Sequence, residues 1–484
     1  MPSRKAIATK YLEKIYKEMY KEISDDLKTS NFLHLQCDGW TNVCNEGIIN
    51  FLISKPEPVF INSLNTLDNR HTSEYLSCEI ENVMKSYGVS KFVVLIGDNA
   101  RNLQKSFEII KNKYPHNVPL NCAAHTLNLI CFDLLKPPEV KAFIDLTTDV
   151  IIQIKKSQIL SALLCKIRKE KSCDQSLKLP CKTRWGSHYS ALKSLKINKA
   201  SLQTLAVNEN LQPTRDIKST LLDEDFWSMI DQCISVFEPV ADSKLEGNEF
   251  NIHEVFMVFK NLKSKLEFVL PSIAMLDNEN KENIKTSIEK PIHYAAYMLD
   301  PKSAGIDLNQ VEETEAMEFI CNLAEHCNID CLVDLAQYKA KEGLWSKQRF
   351  TPKPFFALSC LPSKRTWKAA DKVSPILWWK GICGSSQLSK VAVRVLTAPC
   401  TSANTERSFS TQGFIHNAKR NRLTSERAAK ITFLAYNWNL LNKSENIERL
   451  FNENTAQESP DMEDTDDDTI CQDVAMEGHM QADI

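Results

Sequence analysis

The clearest indication of the fold is the run KFVVLIGDNARN, residues 91–102. Its first part, KFVVLI, is apolar without alternation, which is typical of a strand buried on both faces of a sheet. A glycine and Asp98 follow, and a helix is predicted over 102–114, ending before Pro115. A buried strand that leads directly into a helix indicates the centre of an α/β sheet.

Upstream of this run, the sequence predicts a short antiparallel meander. Three apolar runs separated by Gly, Asn and Pro are its strands: Phe32–Asp38, Ile48–Ser54 and Val59–Leu67. An amphipathic helix is predicted before them over Met1–Leu27, and a helix over Thr72–Ser86 ends at Gly88. The order strand, strand, strand, helix, strand, helix predicts an α/β fold, a mixed sheet flanked by helices.

Composition indicates a folded, helix-rich protein. The chain has 484 residues, 43% hydrophobic and 25% charged, which excludes wholesale disorder and fibrous repeats. Its 12 glycines are too few for the tight turns of a β-sandwich or barrel. No run of about 18 apolar residues occurs, and the N-terminal segment is charged throughout, so neither a membrane span nor a secretion signal is predicted. The 16 cysteines are therefore expected to be reduced thiols.

Charge and periodicity divide the chain into five predicted parts. They are the N-terminal helix (1–30), the first part of the core (31–180), a mainly helical insertion with a linker (181–375), the C-terminal part of the core (376–442) and an acidic, disordered tail (443–484). Within the insertion a weak strand is predicted over Ile292–Leu299. From Glu458 to Ile484 there are ten acidic residues and no Lys or Arg, so the preceding residues carry a formal charge of +7. A mildly basic body suits contact with a polyanion.

Two aspartates follow predicted strands. In LHLQCDGWTN, residues 33–42, alternate apolar residues face one side and the strand is predicted to end at Asp38; Asp98 follows KFVVLI in the same way. Catalytic groups collect at the carboxyl ends of strands in such sheets, and paired carboxylates bind Mg²⁺ for phosphoryl transfer. An aspartate after a strand is also a common turn former or helix N-cap, so the pattern alone leaves both roles open.

A third acid, Glu406, lies beside Arg407 in a Ser- and Thr-rich segment, TERSFS, which is predicted to be helical. At this point the sequence resembles the hAT superfamily of DNA transposases. Over about residues 30–442 the motifs that carry the resemblance are CDGWT (37–41), GDNARN (97–102), CAAH (122–125), KTRWGS (182–187), MLDP (298–301), TERSFS (405–410) and RNRL (420–423). The resemblance implies an RNase H-like core, interrupted by a large helical insertion, and a C-terminal region that forms at least a dimer.

The resemblance also implies a chemistry. Asp38, Asp98 and Glu406 look like the DDE acids of the family, which bind two Mg²⁺ or Mn²⁺ ions and cleave and transfer DNA strands. Such a protein acts on DNA in the nucleus. The family's usual N-terminal BED zinc finger has no counterpart in residues 1–36, which contain no cysteine and only His34. The alternatives are a domesticated, catalytically silent nuclear protein that binds DNA or chromatin or only dimerises, and a relic without any nucleic-acid contact.

Two further motifs look like DNA contacts. Cys122 and His125 are similar to a family motif that grips the cleaved DNA, and Trp185, beside Arg184, matches a tryptophan that stacks on a flipped base. Zinc is not expected at the Cys–His pair, because two ligands cannot close a tetrahedral site. For Trp185, a place in the core is the alternative.

A basic cluster follows TERSFS. Its members are Lys419, Arg420, Arg422, Arg427 and Lys430, opposed by Glu426. Together with Arg407 it is predicted to bind DNA phosphates, although charged runs are often only solvated faces. In the helix after it, with Thr424 as N-cap, the apolar residues Ile431, Leu434, Ala435 and Trp438 form one stripe. This stripe is expected either to meet a second copy of the chain or to pack within its own domain.

Overall fold

Five strands form one mixed sheet in the computed structural model of the chain. In chain order they are β1 (Leu33–Thr41), β2 (Gly47–Ser54), β3 (Pro58–Asn65), β4 (Phe92–Gly97) and β5 (Val118–Asn121). Their spatial order is β3-β2-β1-β4-β5. The first three strands are antiparallel, β4 runs parallel to β1, and β5 runs parallel to β4. This is the strand order of the RNase H-like fold, so the predicted fold class is confirmed.

The structure describes residues 3–42, 45–66, 72–180, 185–208, 214–241, 251–269, 290–345, 370, 372–416 and 423–438. The chain up to Asn437 belongs to one compact unit. Within the described ranges, no helix combines the length and the apolar character that crossing a bilayer requires, and no cysteine forms a disulfide. The predicted linker after residue 350 and the predicted tail from 443 lie outside these ranges.

Helices make up most of the rest of the described chain. Those in the first part of the chain are α1 (Leu12–Thr29), α2 (Ser73–Tyr87), α3 (Arg101–Lys113), α4 (Ala123–Leu135), α5 (Pro138–Lys156) and α6 (Gln158–Glu170). The middle of the chain forms α7 (Trp185–Ile197), α8 (Lys199–Ala206), α9 (Arg215–Leu222), α10 (Glu224–Ala241), α11 (Ile252–Val269), α12 (Pro291–Leu299), α13 (Gln310–His326) and α14 (Leu332–Ala340). The chain then returns to the sheet through α15 (Gln387–Leu396), α16 (Ala403–Ile415) and α17 (425–438).

The sheet separates two apolar cores. All six residues of β4 are buried, and because side chains alternate along a strand, they enter both cores. Leu95 packs with Leu35 of β1 in the core that α2 and α3 cover. Val94 and Ile96 belong to the core of the helical body on the other side. The unbroken apolar run KFVVLI is therefore the consequence of burial on both faces, as predicted.

The residues at the two ends of α2 also agree with the prediction from sequence. Thr72 is the N-cap, and its hydroxyl accepts a hydrogen bond from the backbone N–H of Tyr75 at 3.2 Å. Gly88 ends the helix with φ at +100°, a backbone conformation that side chains with a Cβ rarely adopt. The helix that leads to β4 therefore begins and ends where these two residues predict.

The predicted strand over Ile292–Leu299 is wrong, because this segment is the helix α12. Every residue in it is buried, including the polar His293, and a run buried on all sides has no period by which helix and strand can be told apart. Pro291 at its first position suits a helix N-terminus. The short edge strand β5 was not predicted, since its four residues carry too little pattern.

Two predicted element bounds also change. β1 continues beyond Asp38 to Thr41, because its antiparallel pairing with β2 extends to the pair Thr41–Gly47. Helical structure at the N-terminus is confirmed, with π-helical geometry over Ile7–Tyr11 before α1. The apolar residues at its start, including Ile7 and Ile15, are nevertheless exposed, and only the second half of the helix reaches the core.

Candidate active site

The register of the sheet brings Asp38 and Asp98 together. The last parallel pair between β1 and β4 is Gln36–Ile96. Each aspartate lies two residues beyond its member of this pair, so both carboxylates lie at the same edge of the sheet and on the same face. Beyond Gln36, β1 remains paired only with β2, which opens the space beside Asp38.

The two aspartates line one pocket of about 180 Å³. The backbone N–H of Gly39 donates to Oδ1 of Asp38 at 2.8 Å, and that of Ala100 donates to Oδ1 of Asp98 at 3.0 Å. One oxygen of each carboxylate is thereby oriented by its own loop. Among the residues that the structure describes, none donates a hydrogen bond to the second oxygen of either group.

Gly97 permits the close approach of β4 to β1 beside the pocket. A Cβ at this position would lie 2.7 Å from the carbonyl oxygen of Cys37 and 2.4 Å from Cδ2 of Leu103. Both distances are far below van der Waals contact, and the first involves backbone that cannot turn away. Glycine is therefore required for Asp98 to lie where it does.

The pocket is unfavourable for two negative charges. Asp38 is almost fully buried, whereas Asp98 is half-buried. Burial raises the pKa of Asp38 well above its usual range, and the charge of Asp98 raises it further; the Gly39 N–H lowers it, and the charge of Glu406 adds a smaller increase. The site therefore favours a protonated Asp38 unless a cation balances the charge.

Glu406 lies on α16, which packs on β1 and β2 at the same side of the sheet. Asn50 of β2 donates through Nδ2 to the hydroxyl of Ser408 at 2.8 Å and to Oε1 of Gln412 at 3.2 Å. The ring of Trp40, next to the pocket, stacks on Phe409 with centroids 5.4 Å apart. These contacts fix the helix over the strands, while the side chain of Glu406 itself remains exposed.

Cys122 connects the N-terminus of α16 to the sheet. Its backbone N–H donates to the carbonyl of Gly97 at 2.9 Å, and its sulfur accepts N–H groups from Ser402 at 3.2 Å and from His125 at 3.4 Å. Burial raises the pKa of this thiol, the two N–H donors lower it, and the charge of Glu406 raises it slightly. The Cys122 side chain is 0% exposed in this conformation, and the DNA contact expected from its motif stays a prediction. His125 is half-buried at the first turn of α4.

The three predicted acids thus lie in one region, but the three carboxylates do not together form a complete metal-binding site. Asp38 and Asp98 share the pocket, Glu406 is close enough to influence the pKa of Asp38, and it does not line the pocket. In the described part of the chain, no three His, Cys, Asp or Glu side chains are grouped closely enough to bind a metal ion together. Mg²⁺ is usually bound by one or two protein carboxylates and completes its octahedron with water and substrate phosphate, so two aspartates are a suitable donor set.

Most of the predicted DNA contacts cannot be located. Arg184, Lys419, Arg420 and Arg422 lie outside the described residues. Trp185 begins α7, and its side chain is not among those described. These assignments remain predictions.

Three of the predicted cations lie within the described residues: Arg407 on α16, and Arg427 and Lys430 on α17. Arg407, one residue after the predicted acid, is half-buried and donates to Oδ1 of Asn404 at 2.5 Å. Lys430 of the basic cluster contacts Glu13 of α1 and lies 2.7 Å from Glu426, so it joins α17 to the N-terminal helix. Part of the basic cluster is therefore used in folding.

Several residues that build the site were not predicted. Asn50 interrupts the apolar run of β2, IINFLIS, and a polar residue inside such a run was the available signal for a buried hydrogen bond. Gln412 gave no comparable signal, because polar residues are common in a helix. Trp40 belongs to the motif CDGWT, but its stacking on Phe409 depends on tertiary structure and could not be predicted from the motif.

The C-terminal helix packs by a face other than the predicted stripe. Its buried residues include Phe433, whose ring contacts Tyr16 at 5.1 Å between centroids, and Asn437. The side-chain amide of Asn437 accepts from the N–H and donates to the carbonyl of Phe60, on the free edge of β3. Ile431 and Leu434 of the predicted stripe are only half-buried and remain accessible on the surface.

Comparison with known families agrees with this architecture. Residues 2–156 match a domain of unknown function, DUF659; residues 120–235 match the ZBED1 RNase-like helical domain; and residues 355–438 match the hAT family C-terminal dimerisation region. No match to a curated protein was found. The sheet and its paired aspartates define an RNase H-like protein with a transposase-like arrangement of domains. The chain is a hAT transposase-derived protein, and its dimerisation region suggests a homodimer.

Proposed function

We propose that this chain binds DNA and that its RNase H-like core performs metal-dependent cleavage and transfer of phosphodiester strands. The observation that carries the proposal is the sheet register, which leads Asp38 and Asp98 into one pocket at equal distances beyond the pair Gln36–Ile96. Two carboxylates with no cation between them are costly in a buried pocket, and a divalent ion would remove that cost.

The residues support specific roles in this chemistry. Asp38 and Asp98 would hold Mg²⁺ or Mn²⁺ through their second oxygens, with Glu406 contributing from α16. A bound divalent ion of this kind stabilises the charge that develops on a phosphodiester during in-line attack by water or a 3′-hydroxyl. The Gly39 and Ala100 N–H groups fix the carboxylate orientation, and the Trp40–Phe409 stack fixes α16 beside the pocket.

DNA would be bound by the cationic and aromatic residues that the family resemblance singles out. Arg407 lies next to Glu406 on α16, and His125 lies at the start of α4, where its backbone N–H donates to Cys122. Lys419, Arg420 and Arg422 follow α16 in sequence, and Arg184 and Trp185 precede the body of α7. Guanidinium groups suit phosphate contacts, and an exposed indole suits stacking on an unpaired base. We therefore expect the protein to act in the nucleus.

A nicking assay tests the proposal. Purified full-length protein is incubated with supercoiled plasmid and Mg²⁺ or Mn²⁺, and we expect nicked circles that Asp98→Asn abolishes. Asp25→Asn, a substitution of an exposed aspartate on α1, is the matched control and should leave nicking unchanged. Nicking that persists in Asp98→Asn would show that the pocket is not the active centre.

A catalytically silent protein that binds DNA or chromatin and dimerises is the second candidate. It is favoured by the position of Glu406, which is exposed and does not line the aspartate pocket. Wild-type protein that binds DNA in a salt-dependent way but never nicks it would support this candidate, because phosphate contacts weaken as salt rises. Protein that neither nicks nor binds DNA would contradict both candidates and indicate that only the RNase H-like fold has been kept.

The dimer can be tested separately from DNA chemistry. Ile431 and Leu434 form an accessible apolar pair on α17, within the matched dimerisation region. We expect Leu434→Asp to shift the protein from dimer to monomer in light scattering coupled to size-exclusion chromatography. Arg427→Gln, at an exposed polar position of the same helix, is the control and should remain dimeric. A Leu434→Asp protein that stays dimeric would assign the contact to another surface.

A further inference from the structure

A second cavity lies at the other end of the sheet from the aspartate pocket. Its volume is about 490 Å³, and its walls come from the last turn of α3, the loop before β5, the start of α12 and the C-terminal half of α13. It shares no lining residue with the pocket of Asp38 and Asp98. Cavities of this size are in the range that binds small molecules rather than duplex nucleic acid.

Two lysines give this cavity a positive charge. Lys290 is half-buried and donates to the carbonyl of Pro119 and to Oδ1 of Asn121, both at 3.1 Å, which leaves one of its three N–H donors. Lys111 forms no ion pair within the described part of the chain. Burial lowers the pKa of Lys290, the charge of Lys111 lowers it further, and Glu108, the one carboxylate among the lining residues described, opposes this. An anion bound between the lysines would relieve their repulsion.

The cavity wall also contains acceptors without donors. Asn117 is fully buried; its Nδ2 donates to the carbonyl of Phe92 at 2.6 Å, and its Oδ1 has no donor among the described residues. His326 uses Nδ1 to donate to the carbonyl of Asn322 at 2.9 Å, so a neutral ring presents Nε2 as an acceptor. Asn117 Oδ1 has no accessible surface and only shapes the wall, whereas Nε2 of the exposed His326 can accept a hydrogen bond from a hydroxyl or N–H of a ligand.

The remaining walls are suited to a flat or apolar group. They include Phe319, Leu323 and Ile292. A suitable ligand therefore has an anionic group, a hydrogen-bond donor and an apolar body, and it is small enough for this cavity. This combination occurs in a nucleoside monophosphate and in similar phosphate esters.

We propose that this cavity binds a small phosphate ester of mononucleotide size, with its phosphate between Lys111 and Lys290 and a hydroxyl or N–H group at Nε2 of His326. The site is independent of the metal pocket and of any DNA cleavage.

Isothermal titration calorimetry on the full chain tests the proposal, with adenosine 5′-monophosphate and inorganic phosphate as probes at physiological salt. We expect saturable binding of the nucleotide and weaker binding of phosphate. Lys111→Gln should weaken nucleotide binding about ten-fold, the usual cost of losing one charged hydrogen bond. Lys105→Gln, an exposed lysine on the same helix that does not line the cavity, is the matched control and should change nothing.

Three results would overturn the proposal. The first is the absence of saturable binding of either probe up to about 1 mM, the limit of a weak specific site. The second is an equal effect of the two lysine substitutions, which would indicate a general charge effect. The third is a loss of duplex DNA binding in Lys111→Gln without any nucleotide binding, which would make this edge a nucleic-acid contact. If Lys290→Met does not fold, the exposed Lys111 still decides the outcome.

Discussion

Asp38→Asn should stabilise the metal-free protein. The substitution keeps the shape of the side chain and the Oδ1 acceptor for the Gly39 N–H, but removes a buried charge beside Asp98 and Glu406. Because burial and these neighbours raise the pKa of Asp38 in the folded state, ionising it at neutral pH costs folding free energy. Each unit by which the folded pKa exceeds the unfolded one is worth about 1.4 kcal/mol.

The sign of this effect depends on pH. Below about pH 4 the carboxyl is protonated in both states, so wild type and variant should be equally stable. As pH rises above the unfolded pKa, the unfolded chain releases its proton first, and the wild type loses stability until the folded pKa is passed. The stability advantage of Asp38→Asn should therefore appear above about pH 4 and grow with pH until the folded pKa of Asp38 is passed, provided that a chelator is present.

Divalent metal should reverse the order. An ion at about ten times its dissociation constant adds about 1.4 kcal/mol to the stability of the form that binds it. Urea denaturation followed by tryptophan fluorescence, with a chelator and then with Mg²⁺, measures both effects, and Asp25→Asn is the control for an exposed aspartate. Destabilisation of the chelated protein by Asp38→Asn, or equal stabilisation of wild type and variant by Mg²⁺, would show that Asp38 is neither a costly buried charge nor a metal ligand.

Three further substitutions test how the site is held in place, each measured by urea denaturation. Asn50→Ala should lower the free energy of unfolding by about 2–4 kcal/mol, since it leaves buried partners on α16 unsatisfied. The control Asn62→Ala, at an exposed position of β3, should lower it by less than about 0.5 kcal/mol. Equal effects of the two substitutions would show that α16 does not depend on Asn50. Cys122→Ala should cost about 1–2 kcal/mol, and Cys122→Ser, which retains an acceptor for the two N–H groups, clearly less; the reverse order would contradict the hydrogen-bonding role. Asn437→Ala should cost about 1–3 kcal/mol, because the backbone groups of Phe60 on a buried sheet edge lose their partner, and an unchanged midpoint would contradict this.

The sequence predicted the sheet well because its strands carry strong local patterns. The run KFVVLI is buried on both faces, and the three-strand meander before it is separated by turn residues, so the order of elements up to α3 follows from the chain itself. The strand predicted over Ile292–Leu299 failed for the opposite reason, since complete burial removes the periodic signal.

The site was predictable only in part. The motif order predicted that Asp38 and Asp98 lie near the ends of two strands, although Asp38 lies within β1 and only Asp98 follows its strand. The register explains their shared pocket. The burial of Cys122 could not be read from its motif, because the donor that contacts its sulfur, the N–H of Ser402, lies 280 residues further along the chain. Contacts of this separation are set by the packing of α16 on the sheet, which no local pattern encodes.

The packing of α16 on β1 and β2 affects the order in which the chain can fold during its synthesis. Asn50 and Trp40 leave the ribosome more than three hundred residues before the helix that covers them. At usual rates of synthesis this interval lasts roughly 15–70 s, during which a nascent β-sheet presents an open acidic groove and an uncovered indole. Completion of the sheet edge that carries Asp38 is thus one of the last steps in the folding of the nascent chain, and a chaperone that shields this groove until α16 is translated would find its binding surface already formed.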